Sequence, residues 1–233
     1  MVCALGVVLA WYVRTLERGA PVVVGARLVI STPCVAVTVD WTAFREWQQA
    51  RHDQDMDAPA AWTLALIART TQKQIRDLVV FVLDRPRHAA LIAEIRQAGA
   101  RVMLRTDGDI AGALMAASPG SGVDVLFGVG GVPEGVIAAC AVKALGGAML
   151  GRLAPQSEAE RVAIAGAGLH VRQILSSNEL IAGEHVYFAA TGITDGPLLT
   201  GVRYHGERAE THSLVLRADT GSRRVMYAEH VRI

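Results

Sequence analysis

The chain has 233 residues and a formal net charge of +1, with 52% hydrophobic and 19% charged residues. A chain of this size and apolar content can close one large core or two small ones, and a near-neutral balance with no Lys/Arg-rich run excludes the basic footprint of a nucleic-acid binder. Cys3, Cys34 and Cys140 are odd in number and share no metal-ligand spacing, which points to scattered thiols in a reducing compartment and to a cytoplasmic protein.

Residues 1–13 are almost wholly apolar, and Arg14 is the first charge. The run is shorter than the roughly 20 residues a membrane helix needs. No positive charge precedes it and no small-x-small cleavage site stands out, so a buried strand or helix is expected rather than a signal peptide. Strands are expected at 22–24, 28–30 and 35–39, separated by breakers such as Gly25 and Pro33. Trp11, Trp41 and Trp47 crowd this region and read as core. The acids Glu17, Asp40 and Glu46 are isolated, and 51–59 is a polar connector.

From Ala60 the pattern becomes regular. Helical spacing covers 61–70. Residues 78–83 form a continuous apolar run, as in a strand buried on both faces. An amphipathic helix follows at 88–98, then a short strand at 101–105 and a helix at 110–117. A further strand spans 123–127, and a helix spans 136–145 before Gly146-Gly147. This alternation predicts a parallel sheet wrapped by helices. Beyond Gly151 a helix is expected at 156–166 and strands at 186–190, 198–204, 213–217 and 225–228. The fold class is therefore α/β, a mostly parallel sheet with flanking helices plus a β-rich C-terminal part.

In open α/β sheets ligands bind beyond the carboxyl ends of the strands, and three polar clusters fall there. The first is Arg85-Pro86-Arg87. Arginine offers a planar fork matched to phosphate oxygens; the plain alternative is a pair of surface arginines. The second is Asp107-Gly108-Asp109, suited to sugar hydroxyls or a metal, although Asp109 also makes a good helix cap. The third, residues 128–135, reads Gly-Val-Gly-Gly-Val-Pro-Glu-Gly. It is expected to be a glycine turn opening a helix, where unpaired N–H groups and a close backbone approach favour an anion. Glu134 is the candidate metal ligand, because hard cations prefer carboxylate oxygens. As a first-turn acid it is equally explained by the helix dipole. His88, His170, His185, His205, His212 and His230 show no ligand spacing and are expected at the surface or partly buried. No phosphate-loop lysine motif and no nucleophile–base arrangement is present, and the glycines lack the partner acid of a dinucleotide site.

These motifs, with Gly151-Arg152-Leu153, the 188–196 segment Phe-Ala-Ala-Thr-Gly-Ile-Thr-Asp-Gly, and Thr211-His212-Ser213-Leu214, resemble class II fructose-1,6-bisphosphatase, the bacterial type that includes sedoheptulose-bisphosphatases. The resemblance covers about residues 56–233 and leaves 1–55 as an atypical N-terminal segment. It implies a sugar-phosphatase fold of the inositol-monophosphatase-like kind. The implied activity is hydrolysis of the 1-phosphate of fructose 1,6-bisphosphate in gluconeogenesis, with Mg²⁺ or Mn²⁺ as cofactor. It also implies substrate contacts at Arg85, Pro86, Arg87, Asp107, Gly108, Asp109 and Gly131, and a metal ligand at Glu134. The expected partners are a sugar bisphosphate and, for assembly, further copies of the chain, with neither nucleic acid nor membrane. Family members carry a longer N-terminal half with Gly-Glu-Gly-Glu-like and Asp-Pro-Leu-Glu-Gly-Thr-like segments that hold most metal carboxylates. Neither segment occurs here, so a truncated chain is expected. A metal-dependent phosphatase and a non-catalytic sugar-phosphate-binding remnant both stay open.

Overall fold

The computed structural model of the chain describes Val7–Val8, Pro33–Val39 and residues 59–231 apart from 156, 169, 172 and 184. The strands expected at 22–24 and 28–30, the three N-terminal tryptophans and most of the 51–59 connector lie outside the described residues. The chain divides into two compact units, residues 26–182 and residues 1–25 with 183–233.

The 26–182 unit is built on a six-stranded sheet. Its strands are β2 (Pro33–Val39), β3 (Val79–Leu83), β4 (Arg101–Arg105), β5 (Val125–Gly131), β6 (Ala148–Leu153) and β7 (Leu175–Ser176), ordered β4-β3-β5-β2-β6-β7. β4, β3 and β5 are parallel, as the β-α-β-α-β pattern requires. The expected mostly parallel sheet stops there. β2 enters antiparallel between β5 and β6, and β7 is antiparallel to β6. The inserted strand is the one expected at 35–39, but it comes from far upstream, so no local spacing announces its place in this sheet.

Helices cover both faces. α1 (Ala60–Thr70) and α2 (Ala89–Gln97) lie on one side, where Leu64, Ile67, Ile92 and Ile95 join Val80, Val82, Val125 and Phe127 in one buried cluster. α3 (Asp109–Ala116) and α4 (Val132–Ala144) take the other. There Gly112 sits so close to the sheet that a Cβ would fall 2.5 Å from Cδ1 of Phe81 and 2.8 Å from Cδ1 of Leu126. α4 is buried nearly all round from Ile137 to Ala144, which explains why its sequence carries no amphipathic stripe.

The arrangement creates a crevice. The loop after β3 leads to α2 on one face, while the loops after its neighbours β4 and β5 lead to α3 and α4 on the other. Connections that diverge to opposite faces leave an opening at the carboxyl ends of the strands.

One sequence expectation is corrected at this edge. Residues 128–131 are not a turn. β5 runs through them in register with β2, pairing Gly128 with Ala36, Val129 with Val35, Gly130 with Cys34 and Gly131 with Pro33. α4 begins at the next residue, with Pro133 in its first turn. Glycines favour loops locally, but a seven-residue ladder with β2 overrides that preference.

The second unit carries an antiparallel sheet. β10 (Arg208–Arg217) pairs along its whole length with β11 (Ser222–Val231). Its opposite edge is shared by β8 (Tyr187–Gly192) and β9 (Arg203–His205), and β8 also pairs with β1 (Val7–Val8). β10 and β11 are longer than the expected 213–217 and 225–228, and the expected strand at 198–204 shrinks to β9. His212 is buried, not a surface histidine. Its Nδ1 accepts from the Thr200 amide at 3.0 Å, and its ring stacks on Tyr227 with centroids 4.3 Å apart.

Candidate active site in the crevice of the six-stranded sheet

The three polar clusters sit at the carboxyl ends of adjacent strands. Arg85-Pro86-Arg87 follows β3, Asp107-Gly108-Asp109 follows β4, and Gly131 and Glu134 mark the passage from β5 to α4. Three successive parallel strands thus bring all three to one end of one sheet.

The arginine turn is built from the backbone. Arg85 is extended, its N–H donates to the Leu83 carbonyl at 2.9 Å, and residues Pro86–His88 form a 3-10 turn closed by a His88 N–H donating to the Arg85 carbonyl at 2.8 Å. Proline is pre-set for that first turn position. Both arginines are exposed. Arg87 reaches β5, where its Nε donates to the Val129 carbonyl at 2.8 Å. Arg85 makes no side-chain hydrogen bond among the described residues.

After β4 the chain turns through Gly108 with φ of +89°, a left-handed conformation that glycine adopts without strain. Asp107 is exposed. Asp109 opens α3, and its Oδ1 accepts from the Ile110 N–H at 2.9 Å. Its other oxygen, Oδ2, lies 2.9 Å from where a Cβ on Gly130 would stand. Burial pushes the Asp109 carboxyl above its usual range. The neighbouring Glu134 charge adds to this, and the Ile110 amide and Arg87 oppose it. Two acids brought near one another from the N-termini of α3 and α4 are a costly arrangement unless a cation or a proton lies between them.

Glu134 occupies the first turn of α4 and folds its carboxylate back over Gly131, where any side chain would collide with it. Gly131 and Gly130 therefore keep room for two carboxylates. A cleft of about 30 Å³ lies here, lined in part by His88, Asp109, Gly128, Gly130 and Glu134. That volume suits an ion or a water or two, not a sugar. The donor set fits a hard cation in type, since both groups are carboxylates. Among the described residues no cluster of three or more metal-ligating side chains occurs.

His88 was missed by sequence reasoning, which expected a surface or partly buried side chain. It is 1% exposed. Nδ1 meets the Leu83 carbonyl at 2.8 Å, and Nε2 accepts from the Val129 N–H at 2.9 Å. These partners assign the neutral ring with its proton on Nδ1. The only available signal was its place directly after the arginine turn. Cys140 is buried in α4, and burial pushes its thiol up to about 11, so it is a packing residue rather than a nucleophile. His205, His212 and His230 belong to strands of the second unit.

Residues 47–230 match the family described as bacterial fructose-1,6-bisphosphatase, glpX-encoded. The chain belongs to this bacterial fructose-1,6-bisphosphatase family. It is 40% identical over 197 residues to the D-fructose 1,6-bisphosphatase class 2/sedoheptulose 1,7-bisphosphatase of Synechococcus sp. (strain JA-3-3Ab), an alignment covering 79% of this chain and 57% of that protein. The Synechococcus sp. (strain JA-2-3B'a(2-13)) protein of the same description matches at 40% with the same coverage. The fructose-1,6-bisphosphatase class 2 of Haemophilus influenzae is 37% identical over 189 residues, covering 76% of this chain and 57% of its own length. The chain thus spans a little under three fifths of these fructose-1,6-bisphosphatases, and all three clusters of the crevice fall within the family match. No helix among the described residues is long and apolar enough to cross a membrane.

Proposed function

We propose that the crevice is a sugar-bisphosphate site and that its chemistry is the metal-dependent hydrolysis of the 1-phosphate of fructose 1,6-bisphosphate, with sedoheptulose 1,7-bisphosphate as a related substrate. The observation that carries this is the convergence of the arginine turn, the Asp-Gly-Asp loop and the glycine strand at the ends of β3, β4 and β5, together with the names of the relatives. Arg85 and Arg87 bind and orient phosphate oxygens. Asp107 and the open backbone at Gly108 receive sugar hydroxyls. Gly131 lets the ester approach the strand, and Glu134, with Asp109 beside it, offers oxygens to Mg²⁺ or Mn²⁺. Such a cation, when bound, polarises the phosphoryl group and activates water. In the overall reaction the oxygen of water bonds to phosphorus, the bond from phosphorus to the sugar oxygen breaks, and a proton of that water passes to the sugar oxygen, giving fructose 6-phosphate and inorganic phosphate. We assign the fold to the inositol-monophosphatase-like type of sugar phosphatase and place the protein in the cytoplasm as a homo-oligomer, readings supported by the family match alone.

A second reading is favoured by one observation. With no cluster of three metal-ligating side chains among the described residues, the chain could bind the bisphosphate without turning it over. A phosphate-release assay with Mn²⁺ and fructose 1,6-bisphosphate, run beside calorimetric titration of the same ligand, separates the two. Hydrolysis that falls by about 100-fold or more in Glu134→Ala supports the enzyme, a magnitude expected when a transition-state charge stabiliser is removed. Binding without release supports the non-catalytic form. Neither binding nor release overturns both.

A further inference from the structure

We propose that His88 is a positioning residue that locks the arginine turn to the glycine strand and acts on phosphate binding through Arg87. This rests on the bisphosphate site proposed above and assigns a role within it to a side chain that touches no ligand.

The need for such a lock follows from the sheet. β3 pairs with β5 only at Val80–Val125 and Phe81–Leu126, so beyond Leu126 the β3-facing edge of β5 has no strand beside it. Val129 is half-buried, and main-chain groups withdrawn from water need partners. At Val129 two side chains take the place of the absent strand. His88 Nε2 accepts the Val129 N–H at 2.9 Å, and Arg87 Nε donates to the Val129 carbonyl at 2.8 Å. The two are neighbours in sequence and serve one residue of β5. The second ring nitrogen, Nδ1, returns to Leu83 at the end of β3, 2.8 Å away. The imidazole therefore ties the end of β3, through the 3-10 turn that carries Arg87, to the stretch of β5 that leads to Gly131 and Glu134.

The consequence for Arg87 is geometric. Its Nε is spent on Val129, which fixes the plane of the guanidinium while its terminal nitrogens stay uncommitted to any hydrogen bond among the described residues. A fork held in one plane loses less freedom when it grips a phosphate. If His88 lets go, the turn and the strand can slide apart, and Arg87 loses its anchor as well.

A buried histidine that merely satisfies the core predicts a different pattern, and side-chain replacement distinguishes them in the full chain. Glutamine places an oxygen near the Nε2 position and keeps the acceptor for Val129. Asparagine keeps a donor for Leu83 and loses Val129. Titration calorimetry with fructose 1,6-bisphosphate in the presence of Mn²⁺ should show Arg87→Ala binding about tenfold weaker, the order expected for losing a charged hydrogen bond. His88→Asn should fall by a similar factor, and His88→Gln should stay within about twofold of the unaltered chain. The double variant Arg87→Ala/His88→Asn should bind no more weakly than Arg87→Ala alone, because both remove the same interaction. Equal affinity of His88→Asn and the unaltered chain, or additive losses in the double variant, would overturn the proposal while leaving the bisphosphate site intact. Absence of binding by the unaltered chain would remove both. Should His88→Asn fail to fold, ¹⁵N imidazole spectra of the unaltered chain give the same decision. The His88 ring should carry its proton on Nδ1, and its Nε2 resonance should move on adding bisphosphate; an unmoved resonance counts against the lock.

Discussion

Asp109 shows how a single side chain records the chemistry of its surroundings. Its carboxyl is raised first by burial and then by Glu134. A carboxyl whose folded value lies above its unfolded 3.8 favours folding most when both states are protonated, below 3.8, and that contribution is lost as pH rises through the raised folded value. Above its unfolded value the desolvated Asp109 therefore weakens the fold relative to acid. Asp109→Asn keeps the oxygen that accepts from Ile110 and discards the charge. Without added divalent cation, it should melt at a higher temperature than the parent at pH 7, and the two curves should converge as the pH approaches 3.8. Thermal denaturation followed by circular dichroism across that range checks the sign. A gain that persists unchanged in acid would show that charge is not the cause. The acids and arginines of this crevice were legible in the sequence because their types are informative wherever they fall. His88 was not. Its importance comes from the end of a ladder between β3 and β5, which spacing cannot reveal.

At the scale of elements, the tightest fit is α3 against the sheet. Gly112 lies in the middle of a helix, where replacing glycine by alanine normally gains about 1 kcal/mol from propensity. Here the new methyl would meet Phe81 and Leu126, both buried within the core. Overpacking of that kind costs about 1–3 kcal/mol, and a methyl driven into two buried side chains belongs toward the upper end, so Gly112→Ala should lower stability by up to about 2 kcal/mol in urea unfolding. A stabilised variant would mean that α3 can move off the sheet freely. Helices and strands between residues 60 and 145 were largely legible, because buried strands read as apolar runs and amphipathic helices as 3.6-residue periods. β6 was not expected. Its six residues follow Gly146-Gly147 directly, and the ladders with β2 and β7 show that they form a strand. The misread glycine stretch has the same origin, since the partner that extends it lies some ninety residues upstream.

The whole molecule contrasts a thickly covered sheet with a thinly covered one. β3 is buried from Val80 to Leu83 and β5 from Val125 to Phe127 between two helical layers. β11 is exposed along nearly its whole length, with Tyr227 at 74% and Val231 at 68% exposure. Local opening follows buried contact density. Hydrogen exchange should therefore be slowest at the amides of 80–82 and 125–127 and faster by at least about tenfold along β11. Equal protection of β11 would indicate that something covers it in solution. The strand order β4-β3-β5-β2-β6-β7 was beyond the sequence. The alternation of elements announces the parallel trio, but nothing local says that an upstream antiparallel strand will wedge between β5 and β6.

The direct passage from β5 into α4 has a further consequence, one of phase. With no residue between Gly131 and Val132 to absorb a change, strand length and helix rotation are geared together. One residue added at that junction would turn the start of α4 by about 100° and advance it by about 1.5 Å. Glu134 would be carried round to another side of the helix while Asp109, on its own helix, stayed behind. The pairing of those two carboxylates thus depends on a count of residues as much as on their identity, and a gear of this kind tolerates substitution far better than it tolerates insertion.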